Sequence, residues 1–391
     1  MGEPVIISFV RTAVADARKG ALANTSIYDL GKAVVAEALK RSGVPSDDVE
    51  DLVMGEVLHG GGDLARYVAI ELGLLDVPGA ATMRACASGL QAVNTVAADI
   101  KSDMISAGIG GGLESMTQTP AVFRASPQPW GGMTPWMSDS HPATPDAPNR
   151  LMGITVGENT AEKCGITRQA QDEWSLASHQ RAVAAIDAGK FAEEIVPMEL
   201  RDRKGNVTVF DTDEHPRRDT SLEKLAALPP LFKEGGTVTA GNSSSLNDAA
   251  AALVVVDRSY AEAHGLPVLG VIRSWASVGL PPRDTGLAPS LAIPKACKRA
   301  GISVEDLKLV EINEAFAAMA VACTQLLGLS HDQVNVNGGA VGIGHPVAAS
   351  GARILGTLVM ELRRRGGGLG AASLCAGGGM GTATVVEVPA D

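Results

Sequence analysis

Cys86 stands where a helix is expected to begin. Apolar residues repeat at helical spacing after it, at Leu90, Val93, Ala97 and Ile100. A helix N-terminus offers unpaired N–H groups and the positive end of the helix dipole, and both favour a thiolate over a thiol. Cys86 is therefore a candidate nucleophile. The alternative interpretation is a buried structural cysteine.

A histidine and a second cysteine each adjoin a glycine-rich segment. His345 directly follows the glycine-rich segment 337–344 and precedes a predicted helix. The segment lacks the Lys-Ser/Thr of a nucleotide P-loop. A cradle for a phosphate is the alternative use of such a loop. Cys375 ends a predicted strand and lies close in sequence to Gly377, whose N–H group would face a developing oxyanion. The alternative is a buried cysteine followed by a tight turn. Asn313, between a predicted strand and a helix, would position a water or serve as a turn residue.

These candidates lie in two similar halves of the chain. Segment 47–58 resembles segment 305–316 at a constant offset, and Ala87-Ser-Gly89 resembles Ala349-Ser-Gly351, each opening a helix. A strand and a glycine triplet, 110–112 or 377–379, follow in each half. Similar halves often pack about a pseudo-two-fold axis, which would bring the two helix N-termini together. Coincidence in a glycine- and alanine-rich chain is the alternative.

Strands and helices alternate through the first third of the chain. Strands are predicted at 5–10, 51–58 and 104–108, helices at 27–42 and 65–72, and glycine turns at 60–62 and 110–112. This order is typical of an α/β protein with a mostly parallel sheet. From Thr119 a segment rich in Pro, Trp and Met, followed by a charged helix at 168–189, predicts a large insertion.

Length and composition limit the class of protein. The 391 residues are 45% hydrophobic and 20% charged, which predicts two or three domains with large cores. A net charge of -11 weighs against a nucleic-acid-binding surface but leaves room for a basic patch that binds a phosphorylated ligand. The five cysteines form no CxxC pair, so neither a disulfide framework nor a zinc site is expected. Without a signal peptide, membrane span or C-terminal address, we expect a cytoplasmic protein.

Together these motifs resemble the thiolase family over essentially the whole chain. The segments that carry the resemblance are Cys86-Ala-Ser-Gly, Gly111-Gly-Leu-Glu-Ser-Met116, Thr239-Ala-Gly-Asn-Ser-Ser244, Asn313-Glu-Ala-Phe, Gly342-Ile-Gly-His345-Pro and Cys375-Ala-Gly-Gly-Gly-Met-Gly. The resemblance implies a five-layered αβαβα thiolase fold, made of two similar halves with an inserted loop domain. The implied domains are an N-terminal half at 1–118, completed by 239–266, a CoA-binding insertion at 119–238, and a C-terminal half at 267–391.

The resemblance also implies a role for each candidate residue. Cys86 takes the acyl group as a thioester, and His345 draws off its proton. Cys375 exchanges a proton with the α-carbon of an acyl-CoA, while Asn313 holds a water that, with His345, stabilises the enolate oxygen. The N–H groups of Cys86 and Gly377 form a second oxyanion hole. The residues implied to bind substrate or CoA are Arg217 near the adenosine, Ser244 near the pantetheine arm, and Leu151, Met152, Phe232, Thr285 and Phe316.

The implied reaction is the reversible, metal-free conversion of 3-ketoacyl-CoA and CoA to acetyl-CoA and a shortened acyl-CoA, as in fatty acid β-oxidation. CoA is a substrate in it, and no permanently bound cofactor is expected. Acyl-CoA and CoA are the expected partners, with no nucleic acid and no membrane. The resemblance further implies a homodimer or a homotetramer.

Two departures from the family pattern concern the acyl pocket. Leu151 stands where acetoacetyl-specific members have His, and Thr285 where they have Met. A more apolar and wider pocket would favour acyl chains longer than acetoacetyl. The alternatives are a biosynthetic acetoacetyl-CoA thiolase, a ketoacyl synthase, which shares a Cys-His-Asn set but lacks the second cysteine, and a non-catalytic thiolase-like protein that binds CoA or lipid.

Overall fold

The computed structural model describes residues 2–59, 62–202 and 204–390, so Gly60 and Gly61 of the predicted glycine turn lie outside the described residues. The strands are β1 (Pro4–Arg11), β2 (Ala15–Asp16), β3 (Asp51–Gly55), β4 (Gly79–Thr82), β5 (Ala107–Ser115), β6 (Val122–Ala125), β7 (Met133–Trp136), β8 (Met198–Arg201), β9 (Val207–Phe210), β10 (Asn247–Asp257), β11 (Gly270–Gly279), β12 (Leu309–Ile312), β13 (Gly368–Ala376) and β14 (Met380–Val388). The helices are α1 (Ile27–Ser42), α2 (Leu64–Glu71), α3 (Ser88–Lys101), α4 (Asn159–Cys164), α5 (Arg168–Asp187), α6 (Leu222–Ala226), α7 (Arg258–His264), α8 (Ala288–Ala300), α9 (Ala317–Leu326), α10 (Ala340–Ile343) and α11 (Ser350–Arg364).

Local sequence signals explain where the first helix begins and ends. The hydroxyl of Ser26 accepts a hydrogen bond from the Asp29 N–H group and caps the N-terminus of α1. Gly43 ends the helix in the left-handed conformation, at φ 72°. The predicted helix at 27–42 is therefore confirmed, and the predictions at 65–72 and 168–189 are confirmed to within two residues.

The expectation of a mostly parallel sheet is wrong. Only the pairs β3–β4, β3–β5 and β12–β13 are parallel among the described strands, whereas β1 pairs antiparallel with both β10 and β11. β10 also pairs antiparallel with β5, and β14 with β11 and β13. A short turn joins β13 to β14, and strands joined by a short turn must run antiparallel. The main sheet has the order β12-β13-β14-β11-β1-β10-β5-β3-β4, with β2 beside β10.

Three hydrophobic cores separate five layers of secondary structure. The first core lies between α1, α2 and one face of β1, β3, β5 and β10. The second lies around α3 and α11, between the opposite faces of both halves of the sheet. The third joins α8 and α9 to the outer face of β12, β13 and β14. Because strand residues alternate between faces, Val254 of β10 enters the first core and Leu253 enters the second. The layers follow the expected order αβαβα.

The two central helices, α3 and α11, meet at their first turns. A Cβ atom on Gly89 would lie 2.4 Å from the Ala348 carbonyl oxygen, and one on Gly351 would lie 2.3 Å from the Leu90 nitrogen. Each glycine of the repeated Ser-Gly pair therefore admits the backbone of the other half. This reciprocal contact confirms the prediction that the repeat brings the two helix N-termini together.

The predicted turn at 110–112 is wrong, because these glycines lie inside β5. The predicted strand at 104–108 also begins too early, since β5 starts at Ala107. A Cβ atom added to Gly110 would lie 2.7 Å from the Val93 Cα. One added to Gly111 would lie 2.2 Å from the Ala251 oxygen, and one added to Gly112 would lie 2.0 Å from the Ala348 oxygen. The triplet is glycine because the neighbouring backbone passes too close for a side chain.

The segment between β5 and β10 has its own helices and two small hairpins, β6–β7 and β8–β9. Its helix α5 packs against α9 and α10 of the C-terminal half. The domain boundaries given above stay predictions. None of the helices within the described residues is long and apolar enough to cross a membrane.

Candidate active site

One large cavity of about 1250 Å³ opens between the insertion and the N-termini of the two central helices. Of the predicted catalytic residues, Cys86, His345, Cys375 and Gly377 line it. Asn313 lies behind them, 1% exposed, with its side-chain nitrogen 3.4 Å from the Nε2 atom of His345. The fold thus brings together five residues from distant segments of the chain.

A tight turn between β4 and α3 presents Cys86 to the cavity. Ala85, directly before it, has a left-handed backbone at φ 43°, which is strained for a residue with a side chain. Ser88 fixes this turn, since its hydroxyl accepts from the Arg84 N–H group at 2.8 Å and donates to the Ala85 carbonyl at 2.7 Å. The strain is stored where the sulfur must project from the backbone.

Burial dominates the acidity of the Cys86 thiol. Burial raises its pKa to about 11, and the charge of nearby Glu114 adds to this, while N–H groups of Cys86 and Gly377 donate to the sulfur and lower the pKa. The expected thiolate at the helix N-terminus is therefore not favoured in the resting state, because desolvation outweighs the donors. For Cys86 to act as the predicted nucleophile, a base must remove its proton.

His345 is suited to be that base, because it stays neutral. Burial, and secondarily the charge of Arg353, lower its pKa to about 3. The Asn313 amide N–H faces the Nε2 atom, so the ring proton lies on Nδ1 and is donated to the Ser350 hydroxyl at 2.6 Å. Ser350 in turn donates to the Pro346 carbonyl. This chain of hydrogen bonds keeps the ring proton on Nδ1, so the atom of His345 that can accept a proton is Nε2, which faces the Asn313 amide in the resting state.

Cys375 lies at the end of β13, 2% exposed, beside the Cys86 sulfur. Its thiol donates to the Met319 sulfur at 3.5 Å. Burial raises the pKa of Cys375 well above its ordinary value, and the proximity of Cys86 raises it further. Two thiols that share a site do not ionise together, so one of them holds a proton while the other reacts.

Asn313 follows β12 directly, as predicted. Its N–H group donates to the Ser373 carbonyl at 2.9 Å, which fixes the residue against β13. The Oδ1 atom is buried and accepts no hydrogen bond within the described part of the chain. Such an oxygen is suited to hold a water molecule.

Most of the predicted substrate-binding residues also line the cavity. These are Leu151, Met152, Arg217, Phe232, Ser244 and Phe316. The rings of Phe232 and Phe316 meet edge to face, with centroids 6.2 Å apart. The Ser244 hydroxyl donates to the Ala315 carbonyl, and the backbone N–H group of Arg217 donates to His179.

Thr285 does not lie where it was expected. The cavity lining within the described residues does not include it, and its side chain is fully buried. Its hydroxyl donates to the Pro282 carbonyl at 2.6 Å and accepts from the Gly379 N–H group at 3.0 Å. The hydroxyl makes Thr285 part of a hydrogen-bonded turn, whereas the residue type alone suggested only a shorter pocket wall.

Several residues that support the site were missed in the sequence. The Glu314 carboxylate accepts from Trp174, Ser178, Asn335 and the Val341 N–H group, and so ties the Asn313 loop to α5 and to the glycine loop before His345. A second set consists of Asn247, which accepts from the His345 N–H group, and Glu114, which accepts from the N–H groups of Leu58 and Ala348. Two of these residues had a signal, since Glu314 belongs to the Asn313 motif and Glu114 to the segment Gly111-Gly-Leu-Glu-Ser-Met116.

Comparison with known proteins identifies the family. The family model described as Thiolase, N-terminal domain matches residues 4–259, and Thiolase, C-terminal domain matches residues 266–388. The chain belongs to the thiolase family and is an acyltransferase.

Among its relatives, an acetyl-CoA acetyltransferase of Chromobacterium violaceum is 43% identical over 99% of this chain and 100% of that protein. A peroxisomal 3-ketoacyl-CoA thiolase 2 of Arabidopsis thaliana is 41% identical over 98% of this chain and 83% of that protein. The crystal structure of human mitochondrial 3-ketoacyl-CoA thiolase superimposes with a TM-score of 0.89, at 34% identity and 99% coverage of both chains.

Proposed function

We propose that this protein is a thiolase that transfers acyl groups through a thioester on Cys86 and accepts acyl chains longer than acetoacetyl. The observation that carries the proposal is the convergence of Cys86, His345, Cys375 and Gly377 on one cavity, with Asn313 against His345. In thiolysis, the Cys86 sulfur attacks the keto carbon of a 3-ketoacyl-CoA, and the proton of the thiol passes to Nε2 of His345. The bond to the α-carbon breaks, and the acyl group remains on Cys86.

Cys375 completes this step by giving its proton to the departing enolate of acetyl-CoA. Free CoA then attacks the thioester and regenerates the Cys86 thiol, while the CoA thiol proton restores Cys375 and His345 returns its own. In the reverse direction Cys375 removes the α-carbon proton. A buried thiol with a raised pKa suits exchange with a weak carbon acid, because its conjugate base is strong.

The expected charge stabilisation follows from donors already in place. The N–H groups of Cys86 and Gly377, which donate to the sulfur, are available to the oxygen of a tetrahedral intermediate formed on that sulfur. An enolate oxygen would receive a hydrogen bond from protonated His345 and from a water held by Asn313. Arg217, Lys19 and Lys224 line the cavity and would face the phosphates of CoA, whose use as a substrate requires no permanently bound cofactor.

The apolar side chains in the cavity lining support the preference for longer chains. They include Val57, Leu58, Met83, Met116, Val122, Trp136, Met137, Leu246 and Val347. Leu151 also lines the cavity and is 45% exposed, so an apolar surface replaces the imidazole of acetoacetyl-specific members. Each buried CH₂ contributes up to about 0.8 kcal/mol, so two or three further carbons raise kcat/KM by roughly ten- to fiftyfold.

A chain-length series of 3-ketoacyl-CoA substrates, assayed for thiolysis, tests this proposal. We expect kcat/KM to rise from acetoacetyl-CoA to substrates with two or three more carbons, and Leu151→His to reduce the gain. Leu326→His, at an exposed position on α9, is the matched control and leaves the series unchanged. An optimum at acetoacetyl-CoA would instead indicate the biosynthetic alternative. A protein that binds CoA but turns over no substrate would indicate a non-catalytic binder.

Self-association, a cytoplasmic location and a role in β-oxidation stay predictions. Two observations support a homodimer or homotetramer. β4 is an edge strand of the main sheet among the described strands, and the exposed side chains of Leu75 and Met83 flank β4. An edge strand beside exposed apolar side chains is typical of an interface between subunits. Light scattering after size exclusion tests this, and a monomer at micromolar concentration would contradict it.

A further inference from the structure

The turn after Cys375 is held from outside the cavity by a segment that plays no part in the proposed chemistry. This turn, 377–379, joins β13 to β14, and its last two residues have left-handed backbones, at φ 93° for Gly378 and 76° for Gly379. Segment 280–285 forms hydrogen bonds with both the carbonyl and the N–H group of Gly379. The Leu280 N–H group donates to the Gly379 carbonyl at 2.8 Å, and the Gly379 N–H group donates to the Thr285 hydroxyl at 3.0 Å.

The contact at Gly379 leaves little freedom to the turn. A Cβ atom on Gly379 would lie 2.1 Å from the Leu280 oxygen, so the two backbones are closely apposed. Thr285 itself is fixed, because its hydroxyl proton is donated to Pro282 at 2.6 Å and its side chain is fully buried. The hydroxyl therefore donates to one backbone group and accepts from another, and the two hydrogen bonds together fix its orientation towards the Gly379 N–H group.

The other end of the same turn faces the nucleophile. Gly377 lies two residues before Gly379 and lines the cavity with Cys86, and a Cβ atom on Gly377 would lie 3.9 Å from the Cβ of Ala85, the residue directly before Cys86. Hydrogen bonding from the Gly377 N–H group lowers the pKa of Cys86. Cys375 precedes Gly377 by two residues and lies beside the Cys86 sulfur. Because only a few backbone bonds separate these residues, a shift of Gly379 would also move the Gly377 N–H group and the Cys375 thiol.

We propose that Thr285 is a positioning residue, whose hydroxyl fixes the turn 377–379 and thereby aims the Gly377 N–H group at the Cys86 sulfur. The inference rests on the proposed function and deepens it, since it gives a role to a residue outside the cavity. It also replaces the expectation that Thr285 widens the acyl pocket. The two roles differ in outcome: a pocket wall acts on substrate length, whereas a positioning residue acts on the chemistry of every substrate.

The decisive variant is Thr285→Val, which keeps the shape of the side chain and removes the acceptor. We expect kcat for thiolysis to fall roughly tenfold at every chain length, with KM within about twofold of the unmodified protein, because misplacement of a catalytic group acts on the chemical step. Thr285→Ser restores the hydroxyl and should recover kcat to within about threefold. Thr324→Val is the matched control, since its hydroxyl donates to Ala320 of its own helix.

A second readout needs no CoA substrate. The rate at which iodoacetamide alkylates Cys86, mapped by peptide mass spectrometry as a function of pH, reports the acidity of that thiol. Thr285→Val should shift this profile to higher pH, because a displaced Gly377 N–H group no longer stabilises the thiolate. Thr285→Ser and Thr324→Val should follow the profile of the unmodified protein.

The possible outcomes separate the proposed thiolase function from the proposed positioning role of Thr285. If the unmodified protein turns over no 3-ketoacyl-CoA, the proposed function fails, while the alkylation profile still tests Thr285. If Thr285→Val keeps normal kcat and alkylation, or changes KM for long chains alone, the positioning role is overturned. If Thr285→Val does not fold by circular dichroism, Thr285→Ala takes its place. Failure of both to fold would assign Thr285 to stability alone and would also overturn the proposal.

Discussion

The N-terminal and C-terminal halves share one architecture but use it differently. Each half has a loop that leads into a central helix beginning with Ser-Gly, α3 in one half and α11 in the other. In the first half the loop is a strained turn that presents Cys86, whereas in the second it carries His345 in a hydrogen-bonded loop. The difference teaches that packing is shared between the halves, while the loops before the two central helices carry the residues of the proposed chemistry.

The glycine triplets show the same divergence. In the first half, 110–112 lies within β5, where neighbouring backbone leaves no room for side chains. In the second half, 377–379 forms the turn beyond β13, and Gly377 lines the cavity beside Cys86. Similar sequences therefore serve close packing in one half and, in the proposed function, catalysis in the other.

The largest expected effect comes from removing the nucleophile of the first half. Cys86→Ala should lower turnover by at least about 10³-fold, because no other group forms the thioester. Intact-mass analysis after brief exposure to acyl-CoA should show one acyl adduct on the unmodified protein, mapped to Cys86, and none on the variant. An adduct on Cys375 in Cys86→Ala would reverse the roles of the two cysteines.

Removing the thiol of the second half should separate the two steps. Cys375→Ser should still acylate at Cys86 but turn over on the order of a hundredfold more slowly, because the α-carbon proton lacks a good acceptor. Rapid-quench mass spectrometry measures acylation, and a steady-state assay measures turnover. Cys297→Ser, in the outer core, is the matched control. Turnover near that of the control would remove Cys375 from the mechanism.

Adding one methyl group to each triplet should sharpen the contrast between them. Gly111→Ala would place a Cβ atom 2.2 Å from the Ala251 oxygen, so we expect a loss of about 3 kcal/mol in the free energy of unfolding. Gly377→Ala meets nothing closer than 3.6 Å, at the Met152 sulfur, and should fold with nearly normal stability. Chemical denaturation measures both, and equal losses would contradict the distinction.

The pH dependence of activity tests the base of the second half. Because burial lowers the pKa of His345 to about 3, its ring remains neutral well below the ordinary value of about 6.5. We expect kcat/KM for thiolysis to change less than about twofold between pH 5 and pH 7. A decline in kcat/KM with a midpoint near pH 6.5 would show that His345 titrates as an ordinary histidine, and would contradict the lowered pKa.

The smallest expected effect concerns Glu114 in the first half. Burial raises its pKa to about 8, so its contribution to stability is full below the unfolded value of about 4.3 and is lost as pH rises towards 8. Glu114→Gln cannot ionise. The melting temperature of this variant, relative to the unmodified protein, should therefore rise by roughly 5 °C between pH 5 and pH 8. A constant difference across this range would contradict the shift.

The sequence by itself determined the repeat and the family, and it predicted the candidate reacting groups. Helical periodicity after Cys86 and the paired Ser-Gly motifs placed α3 and α11 correctly, because these signals depend on local spacing. The recurrence of Cys86, Asn313, His345 and Cys375 in family motifs likewise needed no coordinates. What these motifs share is that each lies within a few consecutive residues.

Only the tertiary structure decided how those groups behave. Gly111 looked like a turn residue until Ala251 was placed against it, and Thr285 looked like a pocket wall until its hydroxyl met Gly379. The acidity of Cys86 was likewise set by burial, which the helix signal does not report. Contacts between residues far apart in the chain, and the loss of water that accompanies them, have no local signature. They determine the pKa values and the hydrogen bonds on which the proposed catalysis depends.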